Sequence, residues 1–291
     1  MGKYDEILSP LYDDLVNLLE TSTLSFTTSF DYVARARELL NRNTDIRDYS
    51  LFIKTDPLLL LKTLKLVNKN SKKPTSNAFR ATQMLGRRAL RAMIEYLAEN
   101  RAEEHTYILK EDNSGILNNI WMNTIDSSIL SYCIANKLKI CDPDEARLAA
   151  IVYNLGQLFL LSIVDRYPAI CINQECICEL IHTAHIAVTQ HILDVLNAPS
   201  NVIECYSEAR TEFTDRPHWP LNDITDILVY SLLMSDYKNN YLQSIINNRK
   251  SEFIINLTNR ELVESDNLLE SIYKDRVELL SNIMKRNTAD V

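Results

Sequence analysis

FIKTDPLLLLKTLKLVNKNS, residues 52–71, decides the fold. The Asp56 carboxylate can accept the free N–H groups of a first helical turn, and Pro57 suits the first helical position, where no donor is required. A helix is therefore predicted to start at Pro57. Its residues Leu58, Leu59, Leu60, Leu61, Leu64, Leu66 and Val67 are apolar around much of the circumference. Such a helix has no face to offer water and belongs in the middle of a bundle.

The same pattern of capped helices extends in both directions. Upstream, Ile7, Leu11, Leu15, Leu18 and Leu19 recur at helical spacing, and a Ser/Thr-rich connector covers residues 21–29. Val33, Ala36, Leu39 and Leu40 mark a second helix, and Thr44 and Asp45 can cap a third that runs to Lys54. Downstream, the polar break KNSKKPTSN (69–77) leads into AFRATQMLGRRALRAMI (78–94), which reads as two helices around Gly86. DPDEARLAAIVYNLGQLFLL (142–161) repeats the acid-proline start, with Glu145 placed for a capping box and Gly156 expected to end or bend the helix. A helix from residue 163 is expected to close at Tyr167-Pro168, and further helices are predicted over 179–196, 200–212, 223–237, 242–257 and 260–285, before a frayed NTADV tail.

Composition supports an all-α chain. Of 291 residues only Gly2, Gly86, Gly115 and Gly156 are glycine, whereas sheets and nucleotide-binding loops spend glycine on tight turns and close backbone approach. Those four positions cannot spell a dinucleotide fingerprint, a phosphate-binding P-loop or a nucleophile elbow. A hydrophobic share of 46% with 24% charged residues suits a globular chain with a large core. No apolar run is expected to approach the roughly 18 residues of a membrane helix. The longest candidate, 158–164, is interrupted by Ser162, and the acidic start MGKYDEILSP lacks an apolar signal core, so a cytoplasmic location is expected.

Six cysteines are too few for a disulfide scaffold in this length of chain. Three cluster in CINQECIC (171–178) near His182 and His185, but the spacing fits structural zinc poorly, and buried thiols are the expectation. The net charge of −8 opposes general nucleic-acid binding. Yet residues 62–101 hold ten basic side chains against Glu95 and Glu99, a local charge of +8. Arg80, Arg87, Arg88 and Arg91 within it are candidates for a patch that receives an acidic partner, and a solvated helix face is the plainer reading. A DNA-binding helix-turn-helix around Gly86 is the weaker alternative for the same arginines.

Taken in order, the Asp-Pro helix, its Leu-Lys-Leu-Val-Asn ending, the Leu85-Gly86 step and the later acidic cap with Leu155-Gly156 resemble the HD-related output domain (HDOD) family over roughly residues 25–215. The resemblance implies an all-α multi-helix bundle of the HD-domain type. Residues 1–24 would add an N-terminal helix and connector, and 216–291 a C-terminal helical extension packed on the same domain. HD phosphohydrolases take their name from an adjacent His and Asp that grip a divalent cation, which acidifies water. The resemblance places Tyr153-Asn154 where that pair would stand, and Asn123, after Trp121, where an upstream His would. It makes His185 and Asp236 remnants of the outer ligands. A phenol with a pKa of about 10 and an uncharged amide are poor substitutes for the central pair.

The resemblance therefore implies a non-catalytic bacterial regulatory module that binds a protein partner, such as a receiver or regulatory domain, without a metal or cofactor. Two alternatives stay open at this level: a sensor that takes a small anion or nucleotide in the vacated hollow, and a divergent metal-dependent phosphohydrolase. H-E-x-x-H is absent from the sequence, and His105, His182, His185, His191 and His218 are its only histidines.

Overall fold

The structure is a computed structural model that describes residues 4–21, 30–41, 44–69, 71–104, 111–164, 166–212, 221–235, 271–272, 274–279 and 281. Thirteen helices and no strands occur among the described residues. The chain divides into two compact units, each built from two separate stretches: residues 1–121 with 152–203, and residues 122–151 with 204–291. This partition runs across the sequence segments 1–24, 25–215 and 216–291 rather than along them.

In the first unit, helices α1 (Asp5–Thr21), α2 (Phe30–Asn41), α3 (Ile46–Ile53), α4 (Pro57–Asn68), α5 (Ala78–Leu85) and α6 (Arg87–Glu104) pack with α9 (Leu155–Val164), α10 (Pro168–Cys171) and α11 (Gln174–Val195). Local chemistry sets the boundaries. Asp56 caps α4 as its sequence predicts, its Oδ1 accepting from the Leu59 amide at 2.8 Å, and Asp45 caps α3 through the Arg47 amide at 2.9 Å. Leu58 through Leu61 and Leu64 are buried, which makes α4 a core helix. Asn77 caps α5, and Gly86 ends it at φ 79°, a left-handed value that glycine adopts without strain.

The N-terminal helix is fastened to α11 by side chains. The Tyr4 hydroxyl donates to Glu175, and the hydroxyls of Tyr12 and Thr183 lie 2.6 Å apart. Tyr167 donates to Asp14 at 2.9 Å. Leu8 and Leu11 are buried behind these polar ties. At the other end of α11, Lys65 Nζ donates to the Val195 carbonyl at 2.8 Å, where a cation also suits the negative end of the helix dipole.

The second unit contains α7 (Glu111–Leu138) from Met122 onward, α8 (Pro143–Val152) through Ile151, α12 (Ser200–Glu212) from Glu204, α13 (Ile224–Met234) and the helical C-terminal residues between 271 and 281. Asp142 Oδ1 accepts from the amides of Asp144 at 2.8 Å and Glu145 at 3.2 Å, as the acid-proline signal predicts. Thr225 Oγ1 donates to Glu208 Oε2 at 2.8 Å and ties α13 to α12.

Three sequence expectations need correction. The α8–α9 break falls at Tyr153-Asn154, and Gly156 lies inside the first turn of α9 rather than ending a helix. The helix expected from 179 starts at Gln174, because Asn173 Oδ1 caps it through the Cys176 amide at 3.2 Å. Pro143–Val164 also contains an 18-residue window apolar enough to cross a membrane by composition, contrary to the expectation of no such run. That window is 94% buried inside the protein, so packing accounts for its apolarity. The expected helix over 242–257 lies outside the described residues, as does the NTADV tail.

Candidate functional site

Gly156 builds the buried polar layer of the first unit. An added Cβ there would stand 2.1 Å from the His185 carbonyl oxygen, 2.6 Å from Thr189 Oγ1 and 2.9 Å from the His185 carbonyl carbon. Only a hydrogen fits, so α9 and α11 approach at backbone contact. The Gly156 amide, one of the first-turn donors of α9 without an intrahelical partner, donates to Thr189 Oγ1 at 2.8 Å. This close crossing brings Asn154, Gly156 and Gln157 together with His185 and Thr189 in one helix pair, and the four side chains are fully buried.

Each polar group in this layer has a definable state. Gln157 Nε2 donates to Asn154 Oδ1 at 2.9 Å, so the candidate amide is engaged by a second amide. His185 Nδ1 lies 2.7 Å from the Ile181 carbonyl. A carbonyl only accepts, which puts the proton on Nδ1 and the lone pair on Nε2. Burial pushes the imidazole down to about 4, against the opposing pull of the Ile181 hydrogen bond, and the neighbouring His182 adds a smaller push the same way. His185 is therefore neutral at pH 7. Tyr153 is buried on the same turn as Asn154.

Asn123 belongs to the second unit, where it sits on α7 in a run of buried polar residues: Thr124, Asp126, Ser127, Ser128 and Ser131. Ser127 Oγ donates to the Asn123 carbonyl at 2.7 Å. One turn on, Asp126 accepts from Arg276 Nε at 2.7 Å, from Arg276 Nη2 at 2.9 Å and from Ser235 Oγ at 2.8 Å. This buried two-pronged ion pair anchors the C-terminal residues to α7. Sequence reading missed it, because Asp126 and Arg276 lie 150 positions apart and helical spacing within one segment names no partner in another. Asp236, the remaining candidate, lies outside the described residues.

Chemically, Asn123, Tyr153 and Asn154 contribute no carboxylate or imidazole, and His185 contributes a single imidazole lone pair. No group of three or more His, Cys, Asp or Glu side chains able to hold a metal ion occurs among the described residues. These candidates do not fit a divalent cation, which needs several oxygen or nitrogen donors with negative charge among them.

The basic candidates stand apart, in the first unit. Arg80 on α5 and Arg87, Arg88 and Arg91 on α6 are exposed. Arg91 Nε pairs with Glu95 Oε1 at 2.9 Å, one helical turn along. Met84 and Tyr96, on the same two helices, are 47% and 55% exposed, so α5 and α6 carry exposed apolar side chains as well as the charges. All six cysteines are free: Cys133, Cys176 and Cys205 are buried, and Cys141, Cys171 and Cys178 are half-buried.

Three solved structures give the fold its context. The response regulator MmoQ from Methylococcus capsulatus str. Bath superposes with a TM-score of 0.55 at 14% identity, covering 79% of this chain and 96% of its own. A protein from Shewanella amazonensis SB2B, provisionally named a metal-dependent phosphohydrolase, gives 0.47 at 17% identity, with 94% and 99% covered. An HDOD domain protein of unknown function from Geobacter sulfurreducens gives 0.37 at 15%, with 96% and 98% covered. At such identities the MmoQ likeness speaks to fold alone. No curated protein matches the sequence. The HDOD domain family matches it over residues 29–210.

Proposed function

The chain belongs to the HDOD family, and from that premise we propose that it is a non-catalytic signal-transduction module that works by docking a protein partner on the basic face of α5 and α6. The observation that carries the reading is the Asn154–Gln157 amide pair, fully buried at 2.9 Å where the family resemblance puts the central cation-gripping residues of a hydrolase. Two neutral amides that satisfy each other hold no cation, and without a cation a bound water keeps its ordinary high pKa. His185, neutral and hydrogen-bonded to its own helix, serves the packing of α9 on α11.

Recognition is left to the surface. The +8 of residues 62–101 within a chain of −8 gives the protein a strong internal polarity, which steers an acidic partner and raises its encounter rate. The response-regulator name of MmoQ makes a receiver or related regulatory domain the partner class this reading favours. The test is capture of the partner from bacterial extract by the tagged chain, with Arg80, Arg88 and Arg91 unchanged or all replaced by Glu. The reading expects one acidic partner retained by the unchanged protein at low salt and lost from the triple variant. Equal retention by both would remove the role assigned to this face.

A further inference from the structure

The C-terminal residues 271–281 dock on α7 as a peptide docks on a receptor. They are helical, and Ile272, Asp275, Arg276 and Leu279 recur at the spacing that puts them on one face of a helix. Ile272 and Arg276 are buried, and Asp275 meets Lys137 Nζ of α7 at 3.2 Å. Lys274, Val277 and Glu278, at the positions between, are exposed. All of these groups belong to the second unit. A helix laid on another surface is recognised through anchors of this kind. Here the central anchor is a charge.

The Asp126 carboxylate is set to receive that charge. It takes both prongs of the guanidinium, Oδ1 from Nε at 2.7 Å and Oδ2 from Nη2 at 2.9 Å. Ser235 Oγ, at the end of α13, donates to Oδ2 at 2.8 Å and holds the plane of the carboxylate. A planar fork satisfies this arrangement, whereas an ammonium meets it as a point charge. Burying the pair strips water from both ions, so it adds little net stability over an apolar contact of the same size; what it provides is choice of partner. Release returns water to both charges. Among the described residues of the strap Ile272 is the one buried apolar side chain, so no continuous apolar seam holds it down. Residues 271–281 also lie beyond 29–210, the stretch that matches the family, while Asp126 lies within it.

We propose that Asp126 and Ser235 form an arginine-reading site in the second unit, that the C-terminal strap is its resident ligand, and that release of the strap opens the site to an arginine-bearing helix of a partner protein. That helix repeats the strap's pattern: an apolar residue, an acid three positions later to meet Lys137, and the arginine next to the acid. The site shares no residue with the basic face of α5 and α6 and selects the opposite charge. Either can therefore fail its own test without the other.

Hydrogen exchange of the unaltered full chain is the first readout. The amides of 271–281 are expected to exchange about tenfold or more faster than the slowest amides of α8, through an opening of their own. A strap that exchanges only at the rate of the α8 core would leave with global unfolding, and the proposal would be overturned without any variant. The second readout is the fluorescence anisotropy of a labelled peptide of residues 268–285 added to the full chain. Arg276→Met removes the resident anchor and leaves Asp126 in place, so this chain should bind the peptide about tenfold or more tightly than wild type does. The Asp126→Asn, Arg276→Met chain strands no buried charge and should bind it about tenfold or more weakly than Arg276→Met alone. A peptide carrying the same Arg276→Met change should bind neither. Equal binding to the two variants, or by the two peptides, would overturn the proposal. A wild-type dimer that the double change abolishes would give the site to exchange of straps between copies and overturn the role for a partner.

Discussion

Replacing Gly156 by alanine adds one methyl group where α9 and α11 leave no room for it. The new Cβ would meet the His185 carbonyl oxygen at 2.1 Å and carbon at 2.9 Å, both backbone atoms that no rotamer change can move. Separating the helices by enough to restore contact near 3.4 Å loosens the buried layer of Asn154, Gln157, His185 and Thr189. It also strains the 2.8 Å bond from the Gly156 amide to Thr189. Overpacking in a close-packed core costs about 1–3 kcal/mol, and a buried amide left without its acceptor costs about 1–3 kcal/mol more. Alanine's better helix propensity returns about 1 kcal/mol. The net loss is about 1–5 kcal/mol, which lowers the unfolding midpoint by roughly 3–15 °C for a body of this size. Circular dichroism at a helix band on heating measures it, with Gly86→Ala as the control. Gly86 has open space around its Cβ position but a φ of 79° with ψ 157°, a region held almost only by glycine, so about 1–3 kcal/mol is expected there from backbone strain alone. A Gly156→Ala protein within a degree of wild type would refute the close-crossing argument.

Other outcomes follow from the same contacts. Arg276→Met or Asp126→Asn alone leaves a buried partner stranded and should cost about 3–5 kcal/mol, while the double change should cost clearly less than the sum, as a double-mutant cycle by urea unfolding would record. His185 gives a signed pH dependence: its folded value, about 4, lies below the unfolded 6.5, so its contribution is fully present above pH 6.5 and is lost as pH falls towards 4. That loss is about 3 kcal/mol at its limit, and comparing urea midpoints of wild type and His185→Phe across this window isolates it. Thiol titration at pH 8 should label Cys205 and Cys133 only after unfolding, since burial pushes them up to about 12 and about 11.

What the sequence made legible is what local chemistry dictates. Asp45, Asp56 and Asp142 cap helices within their own first turns, so proximity in sequence is enough to read them. The apolar α4 announces its burial in the same way. Helix α7, at 28 residues the longest among the described residues, left no comparable mark, and no helix was predicted over its span. Its buried face carries Asn123, Thr124, Asp126, Ser127, Ser128 and Ser131, so polar residues occupy positions where periodicity arguments look for apolar ones. Satisfaction of the Asp126 carboxylate among them depends on Arg276 and Ser235, far along the chain. Gly156 was visible as a glycine, but its purpose depends on a helix thirty residues away. At the candidate site, residue types alone conveyed the missing charge of Tyr153-Asn154. That the Asn154 amide is engaged by Gln157 required coordinates.

The most direct test of the central claim is metal content and phosphate release measured on one preparation. The purified chain is equilibrated with manganese, iron or magnesium, passed through a desalting column, and assayed against nucleotides and cyclic nucleotides. The account predicts well under one metal ion per chain and release no faster than the no-protein control. One tightly held divalent ion per chain, with release abolished by His185→Ala or Asp236→Ala, would contradict it.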